Sequence, residues 1–281
     1  MASIAHVDEW ADDCASVSEI EQALVDLRRR RGWEGTRNVR STVLSHIAWV
    51  PREWQDAATE TLAGLAERHP SRTLLLFPDP DGDDGLAARV LLECYDVPES
   101  RRHLCSEVVQ LHLRGRRAQA PASIVLPLLL PHLSVFLRWR GQPHFGSPVL
   151  EQLLGVADRL VVDSAEWPDP SEGYAQLPAL FDKAAVSDIA WRRTLPWRYE
   201  LARAWPDVPD RLTGPAAETT LLAGWLRARA RVEVRVEPAP DLPVGDERAA
   251  SDLLSDELDV FVRDPVYEAA VSSAAGPADR P

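Results

Sequence analysis

The stretch from Ser123 to Gly141, SIVLPLLLPHLSVFLRWRG, constrains the fold of this chain more than any other segment. It is apolar enough to be buried, yet Pro127 and Pro131 interrupt it and alternating arginine and tryptophan close it. From Leu133 onward the alternation places Val135, Leu137 and Trp139 on one face and Phe136, Arg138 and Arg140 on the other. That pattern predicts a strand buried for most of its length, with the two arginines marking a polar tip where it leaves the core. A membrane-spanning helix needs about 20 uninterrupted apolar residues, and the prolines and Arg138 argue for a soluble interior instead.

The flanking periodicity predicts alternating helices and strands. Ile20, Leu24 and Leu27 recur at helical spacing across Val17 to Arg30, after Ser16 or Ser18 as a cap. Val39 to Val50 is β-rich, residues 52–68 are helical through Trp54, Ala58, Leu62 and Leu65, and Thr73 to Phe77 reads as a buried strand. The same rhythm returns at Leu133 to Trp139, Pro148 to Ala157 and Arg159 to Val162. The second strand of each set runs into a similar turn, Phe77-Pro78-Asp79-Pro80 and Trp167-Pro168-Asp169-Pro170, and Ala66-Glu67-Arg68 has a counterpart in Ala157-Asp158-Arg159. The expected fold class is therefore α/β, as two related lobes, each a mostly β-sheet core with flanking helices. Their likeness is either an internal repeat or the recurrence of a common Pro-Asp-Pro turn.

Between the lobes, Glu107 to Leu113 alternates as a half-exposed strand with Val109, Leu111 and Leu113 inward. Arg114-Gly115-Arg116-Arg117 follows as a boundary, giving an N-terminal lobe of 1–115 and a C-terminal lobe of 116–236. The second lobe is expected to hold short helices at Val186 to Thr194 and Leu195 to Trp205, an amphipathic helix at Glu218 to Arg229 and a strand through Val232, Val234 and Val236. A linker and final helix (237–270) and a disordered tail (271–281) complete the expected organisation.

Composition excludes several functions. A net charge of -13 disfavours nucleic acid and anionic membranes, both of which recruit lysine and arginine clusters. The start, MASIAHVDEWADD, carries no basic region followed by an apolar stretch, so the expected location is the cytoplasm. Cys14, Cys94 and Cys105 are irregularly spaced, which fits reduced thiols. Lys183 is the only lysine and no glycine-rich loop precedes it, which removes P-loop and Schiff-base chemistry.

The remaining chemistry is sparse. Asp79, Asp81 and Asp83 resemble a calcium loop, but Asp84 and Val90 stand where its glycine and bidentate glutamate belong, so a solvated acidic turn is expected. His103, Cys105, His112 and Cys94 lack the paired spacing of a zinc site, and buried free cysteine is favoured over a Cys94–Cys105 redox pair. Asp163 and Ser164 follow an apolar run, where open α/β sheets place ligands and where helix caps also fall. No G-x-S-x-G, HExxH or G-x-G-x-x-G motif occurs. Trp191, Arg192, Arg193, Trp197 and Arg198 form the densest aromatic and cationic cluster, a pairing enriched at protein interfaces and equally able to pack internally.

Several blocks in collinear order, His69-Pro70-Ser71-Arg72, SEVVQLHLRG at 106–115, the VLPLLLPHLSVFLRWRG run, DRLVVDSAEW at 158–167, SDIAWRRTLPWR at 187–198, LLAGWL at 221–226 and LLSDEL with DPVYEAA near the end, resemble the glucose-6-phosphate dehydrogenase assembly protein family, OpcA. The resemblance implies a non-catalytic partner, with no catalytic, cofactor-binding or metal-binding residues, that promotes assembly or activity of glucose-6-phosphate dehydrogenase at the entry to the pentose phosphate pathway. Near-exclusive use of arginine over lysine points to the actinobacterial branch. In cyanobacterial relatives the activator is linked to thioredoxin control, and no redox pair is matched to it among Cys14, Cys94 and Cys105. Partner contacts are expected from Arg138, Arg140, Trp191, Arg192, Arg193, Trp197 and Arg198, with an anchor role for Arg192 that leaves its removal almost neutral for folding. The competing reading is an enzyme of the same pathway that binds a sugar phosphate through Arg138, Arg140, Asp163 and Arg192.

Overall fold

The computed structural model describes residues 4–30, 38–39, 43–63, 65, 68–96, 103–246 and 248–275. The fold is α/β, and the chain divides into two compact units, residues 1–140 with 146–158, and residues 141–145 with 159–281.

The first unit runs β1 (Ile4–Asp12), α1 (Val17–Arg30), β2 (Asn38–Val39), β3 (Leu44–Trp49), α2 (Gln55–Ala63), β4 (Ser71–Asp79), β5 (Gly85–Asp96), β6 (His103–Arg114), α3 (Arg116–Gln119), α4 (Ala122–Leu128), β7 (Val135–Trp139) and α5 (Pro148–Leu154). Its strands lie in the order β1-β5-β6-β4-β3-β7, with β2 beside β6. The run β6-β4-β3-β7 is parallel, and β1-β5-β6 is antiparallel. The sequence dictates that split. A parallel strand is covered on both faces, and β3 and the first seven residues of β4 are buried throughout, whereas β6 alternates from Val109 through buried Leu111 to exposed His112. The α2 crossover then packs Ala58, Trp54 and Leu62 against Ala48, Leu75, Phe77 and Leu91 of the sheet.

Several expectations change here. The strand after Pro131 forms as β7, but Arg138 and Arg140 are buried instead of standing at a polar tip. Arg140 lies over the Trp54 ring at 4.9 Å, and its N–H continues the ladder to the Trp49 carbonyl at 3.0 Å. An Arg138 terminal nitrogen turns back onto the Trp139 carbonyl. Arg114 to Arg117 lies inside the first unit. Gly115 turns there at φ +56°, and Arg116 binds Asp84 through its backbone N–H at 2.7 Å and its Nε at 2.5 Å. The three thiols are not all free either. Antiparallel pairing of β5 with β6 sets Cys94 opposite Cys105 with Cα atoms 4.1 Å apart, and the two form a disulfide, which also takes both sulfurs out of any zinc set. Cys14 is free and exposed.

The second unit contains β8 (Arg159–Val162), α6 (Pro170–Gln176), β9 (Ala185–Asp188), α7 (Ile189–Arg193), α8 (Leu195–Ala204), β10 (Arg211–Gly214), α9 (Ala216–Ala230), β11 (Arg235–Pro238), α10 (Ala250–Leu258) and α11 (Pro265–Ala274). β8 pairs with β9 and β10 with β11, both parallel. Residues 250–275 hold two helices where one was expected, and 271–274 are helical, while Ala66, Glu67 and the rest of the expected tail, 276–281, lie outside the described residues. The two Pro-Asp-Pro turns act differently. Asp79 ends β4, whereas Asp169 caps α6 by accepting the N–H groups of Ser171 and Glu172. Gly141 is held in this unit, donating its N–H to Glu166 Oε2 at 2.8 Å and accepting from Trp167 Nε1 at 3.2 Å.

Candidate functional site

The ends of β8 and β9 carry the densest buried polar cluster described in the second unit. At this end of the pair the polar groups come from the residue that follows β8 and the one that closes β9. Asp163 follows β8, its side chain accepting the Ala165 N–H at 3.3 Å, and Asp188 closes β9 and caps α7 through the Ala190 N–H at 2.9 Å. Both carboxylates are buried. Arg193, at the end of α7, grips Asp163 with both terminal nitrogens at 2.9 and 2.5 Å and reaches Glu218 of α9 at 3.1 Å. Burial and the nearby Asp163 charge push the Asp188 carboxyl up to about 7. Its oxygens accept the Ser164 N–H at 3.0 Å and the Tyr267 hydroxyl at 3.4 Å, and Ser164 and Tyr174 hydroxyls meet at 2.6 Å. Burial also raises Tyr174, Tyr267 and Glu218. The knot is thus a buried network in which one cation bridges two acids. For Asp163 and Ser164 the helix-cap reading is the one the geometry follows.

The Trp191 to Arg198 cluster is likewise packed. Trp191 and Trp197 are buried, Trp191 donating its indole N–H to Asp264 at 3.1 Å and Trp197 joining Leu201, Leu212 and Leu222 in a small core. Arg198 stacks on the Trp191 ring at 3.7 Å, and burial lowers its pKa to about 10. Arg192 binds the buried Glu257 at 2.7 Å. An alanine there strands an acid in the interior, which corrects the expectation that Arg192 could be removed without cost. What the cluster leaves facing outward is Tyr199, 65% exposed, and Trp205, 52% exposed. Each of the four residues of the sugar-phosphate reading is engaged within its own unit: Arg138 on the Trp139 carbonyl, Arg140 over Trp54, Asp163 on Arg193 and Arg192 on Glu257. Sequence reasoning missed Arg159, Glu218, Glu257, Tyr174 and Tyr267. A charge opening the apolar run Arg159-Leu-Val-Val and one in the first turn of the largely buried α9 were the available signals.

Among the described residues, no group of three or more His, Cys, Asp or Glu could hold a metal ion, and no helix is long and apolar enough to cross a membrane. Residues 63–179 match the family described as the glucose-6-phosphate dehydrogenase subunit N-terminal domain. Over that segment the chain is similar to the OpcA family. Three proteins that bear the name OpcA, assigned by that name to the OxPP cycle, are similar to it. They come from Synechocystis sp. (26% identical over 184 residues), Nostoc punctiforme (28% over 181) and Synechococcus elongatus (26% over 181). Each alignment covers 59% of this chain and only 38, 39 and 40% of the respective relative, so the chain spans about two fifths of the length of the curated relatives it matches.

Proposed function

We propose that this chain is a non-catalytic partner of glucose-6-phosphate dehydrogenase that promotes the enzyme's active form in the oxidative pentose phosphate pathway, and that it works in the cytoplasm. The match of residues 63–179 to the dehydrogenase-subunit domain carries the reading. The chemistry of the buried knot is consistent with it, because its acids are tied up by Arg193 and backbone N–H groups in a closed interior. An activator acts by binding the competent conformation or oligomer more tightly than the incompetent one, and a coupling of about 1–3 kcal/mol multiplies apparent affinity or activity roughly 5- to 150-fold.

The contact surface in this proposal is the outward side of α8 and the residue that follows it, led by Tyr199 and Trp205, in place of the Arg138 and Arg140 tip. Aromatic side chains with large free area are the residue class that anchors interfaces. The test is a titration of the same organism's glucose-6-phosphate dehydrogenase with the purified chain, following binding and turnover together. A saturable rise in turnover is expected, weakened tenfold or more by Tyr199→Ala at unchanged melting temperature. Neither binding nor activation by the wild type would overturn the reading, and full activation by the variant would remove Tyr199 from the surface.

A further inference from the structure

Arg159, the first residue of β8, is 2% exposed, and its surroundings leave it under-satisfied. One terminal nitrogen donates to the Val262 carbonyl, while Nε and the other terminal nitrogen are buried with no acceptor. The Ser187 hydroxyl on the neighbouring strand and Arg198 Nε share that condition. A buried donor without a partner is costly, and a buried cation without one more so. Here all three residues line the same cavity of about 290 Å³ in the second unit. The acids on its wall are already committed. Glu257 binds Arg192, and Asp264 caps α11 through the N–H groups of Val266 and Tyr267 while accepting the Trp191 indole N–H. Arg263, also on the wall, is neutralised by Glu268 at 2.7 Å. The cavity thus keeps positive charge and unused donors together.

We infer that this cavity binds a small phosphate-type oxyanion through Arg159, Ser187 and Arg198, a role separate from the dehydrogenase contact proposed above. Three side chains offering unused N–H and O–H groups suit an ion with several acceptor oxygens, and guanidinium is the donor best matched to such oxygens. The volume admits a phosphate and a small attached group, near the lower end for ligand sites. Burial lowers the pKa of both Arg159 and Arg198, the direction expected of cations held without a full counter-charge. The unused donors are shielded from solvent, so binding requires Arg159, Ser187 and Arg198 to turn towards the cavity that all three already line.

The test needs no dehydrogenase, so its outcome is independent of the partner assignment. The full chain is titrated with inorganic phosphate at constant ionic strength set by chloride, by calorimetry and by melting temperature, with succinate in parallel. Saturable binding of phosphate that raises the melting temperature, is lost in Arg159→Met and is weakened about tenfold in Ser187→Ala supports the site, since a hydrogen bond to a charged group is lost. Succinate binding as tightly as phosphate would overturn the phosphate assignment. Absence of a saturable response in the wild type, or wild-type affinity in Ser187→Ala, would overturn the site itself, and the serine variant decides the matter if Arg159→Met fails to fold.

Discussion

The two units handle buried charge in opposite ways. In the first, Glu107 on β6 sits between two arginines, Arg28 at 2.5 Å and Arg72 at 2.7 Å, and Arg72 also donates to the Leu128 carbonyl. Burial acts to raise the Glu107 pKa, but the two guanidinium groups outweigh it and hold the carboxyl below its ordinary value. In the second, one arginine, Arg193, serves two buried acids, and Asp188 beside them has no hydrogen-bonded cation among its described partners. An excess of cation keeps an acid ionised; a shortage keeps it protonated. The lesson is that identical residue types give an acid-sensitive cluster around Glu107 and a base-sensitive one around Asp188, according to the local count of guanidinium groups.

Removing the scarce cation should have the largest effect. Arg193→Ala leaves Asp163 and Glu218 buried without their counter-charge and should cost about 3–5 kcal/mol, read by chemical denaturation with hydrogen exchange on the second unit. Arg72→Ala should cost clearly less, because Glu107 keeps Arg28; equal losses would break the comparison. The pH dependence sharpens it. Asp188 is raised from an unfolded value near 4 to about 7, so its contribution to stability is fully present below about pH 4 and is lost as pH rises through about 7. Glu107 is lowered, so its contribution is present above about pH 4 and is lost on acidification through its folded value. Asp188→Asn should therefore flatten the neutral limb of the stability profile and leave the acid limb in place. A neutral limb unchanged in the variant would contradict the assignment.

Packing provides a smaller lever. Gly224 on α9 lies where a β-carbon would collide with the Ala270 carbonyl of α11, and Gly224→Ala should cost about 1–3 kcal/mol by forcing the helices apart. Retention of the wild-type melting temperature would contradict that close approach. Smaller again is the disulfide. Reduction of Cys94–Cys105 removes a loop only 11 residues in separation from strands that pair along their whole length, so the loss should stay at or below about 2 kcal/mol, confined to the first unit. Alkylation after denaturation without reductant should label Cys14 alone.

Much of the backbone was legible. The stripe Ile20, Leu24 and Leu27 fixed α1 because helical spacing and a capping serine agree, and the alternation at Val109 to Leu113 located β6. β1 escaped because IAHVDEWAD mixes charges into both faces and has no apolar run. β5 carried a usable alternation of Leu86, Ala88, Val90 and Leu92 that the preceding acidic turn obscured. The arginines were misread for a deeper reason. Exposure depends on partners distant in sequence: Glu257 lies 65 residues from Arg192, and Asp163 lies 30 from Arg193, and nothing local in SDIAWRRTLPWR distinguishes a paired guanidinium from a free one. The disulfide was hidden likewise, since irregular spacing says nothing about two cysteines that face each other across antiparallel strands.

Gly141 to Phe145 belongs to the second unit although its neighbours on both sides belong to the first. The polypeptide therefore passes from one unit to the other at residue 141, returns at 146 and passes again at 159, so neither unit is a contiguous stretch of chain. Any single cloning boundary cuts through a folded body. A fragment ending at Asp158 carries Gly141 without Glu166 and Trp167, a fragment beginning at Arg159 carries Trp167 without the Gly141 carbonyl and the Phe145 ring stacked edge-on against it, and residues 63–179 expressed alone retain that corner but sever Tyr174 from Ala217. A half-molecule used as a bait would misreport what the intact chain binds.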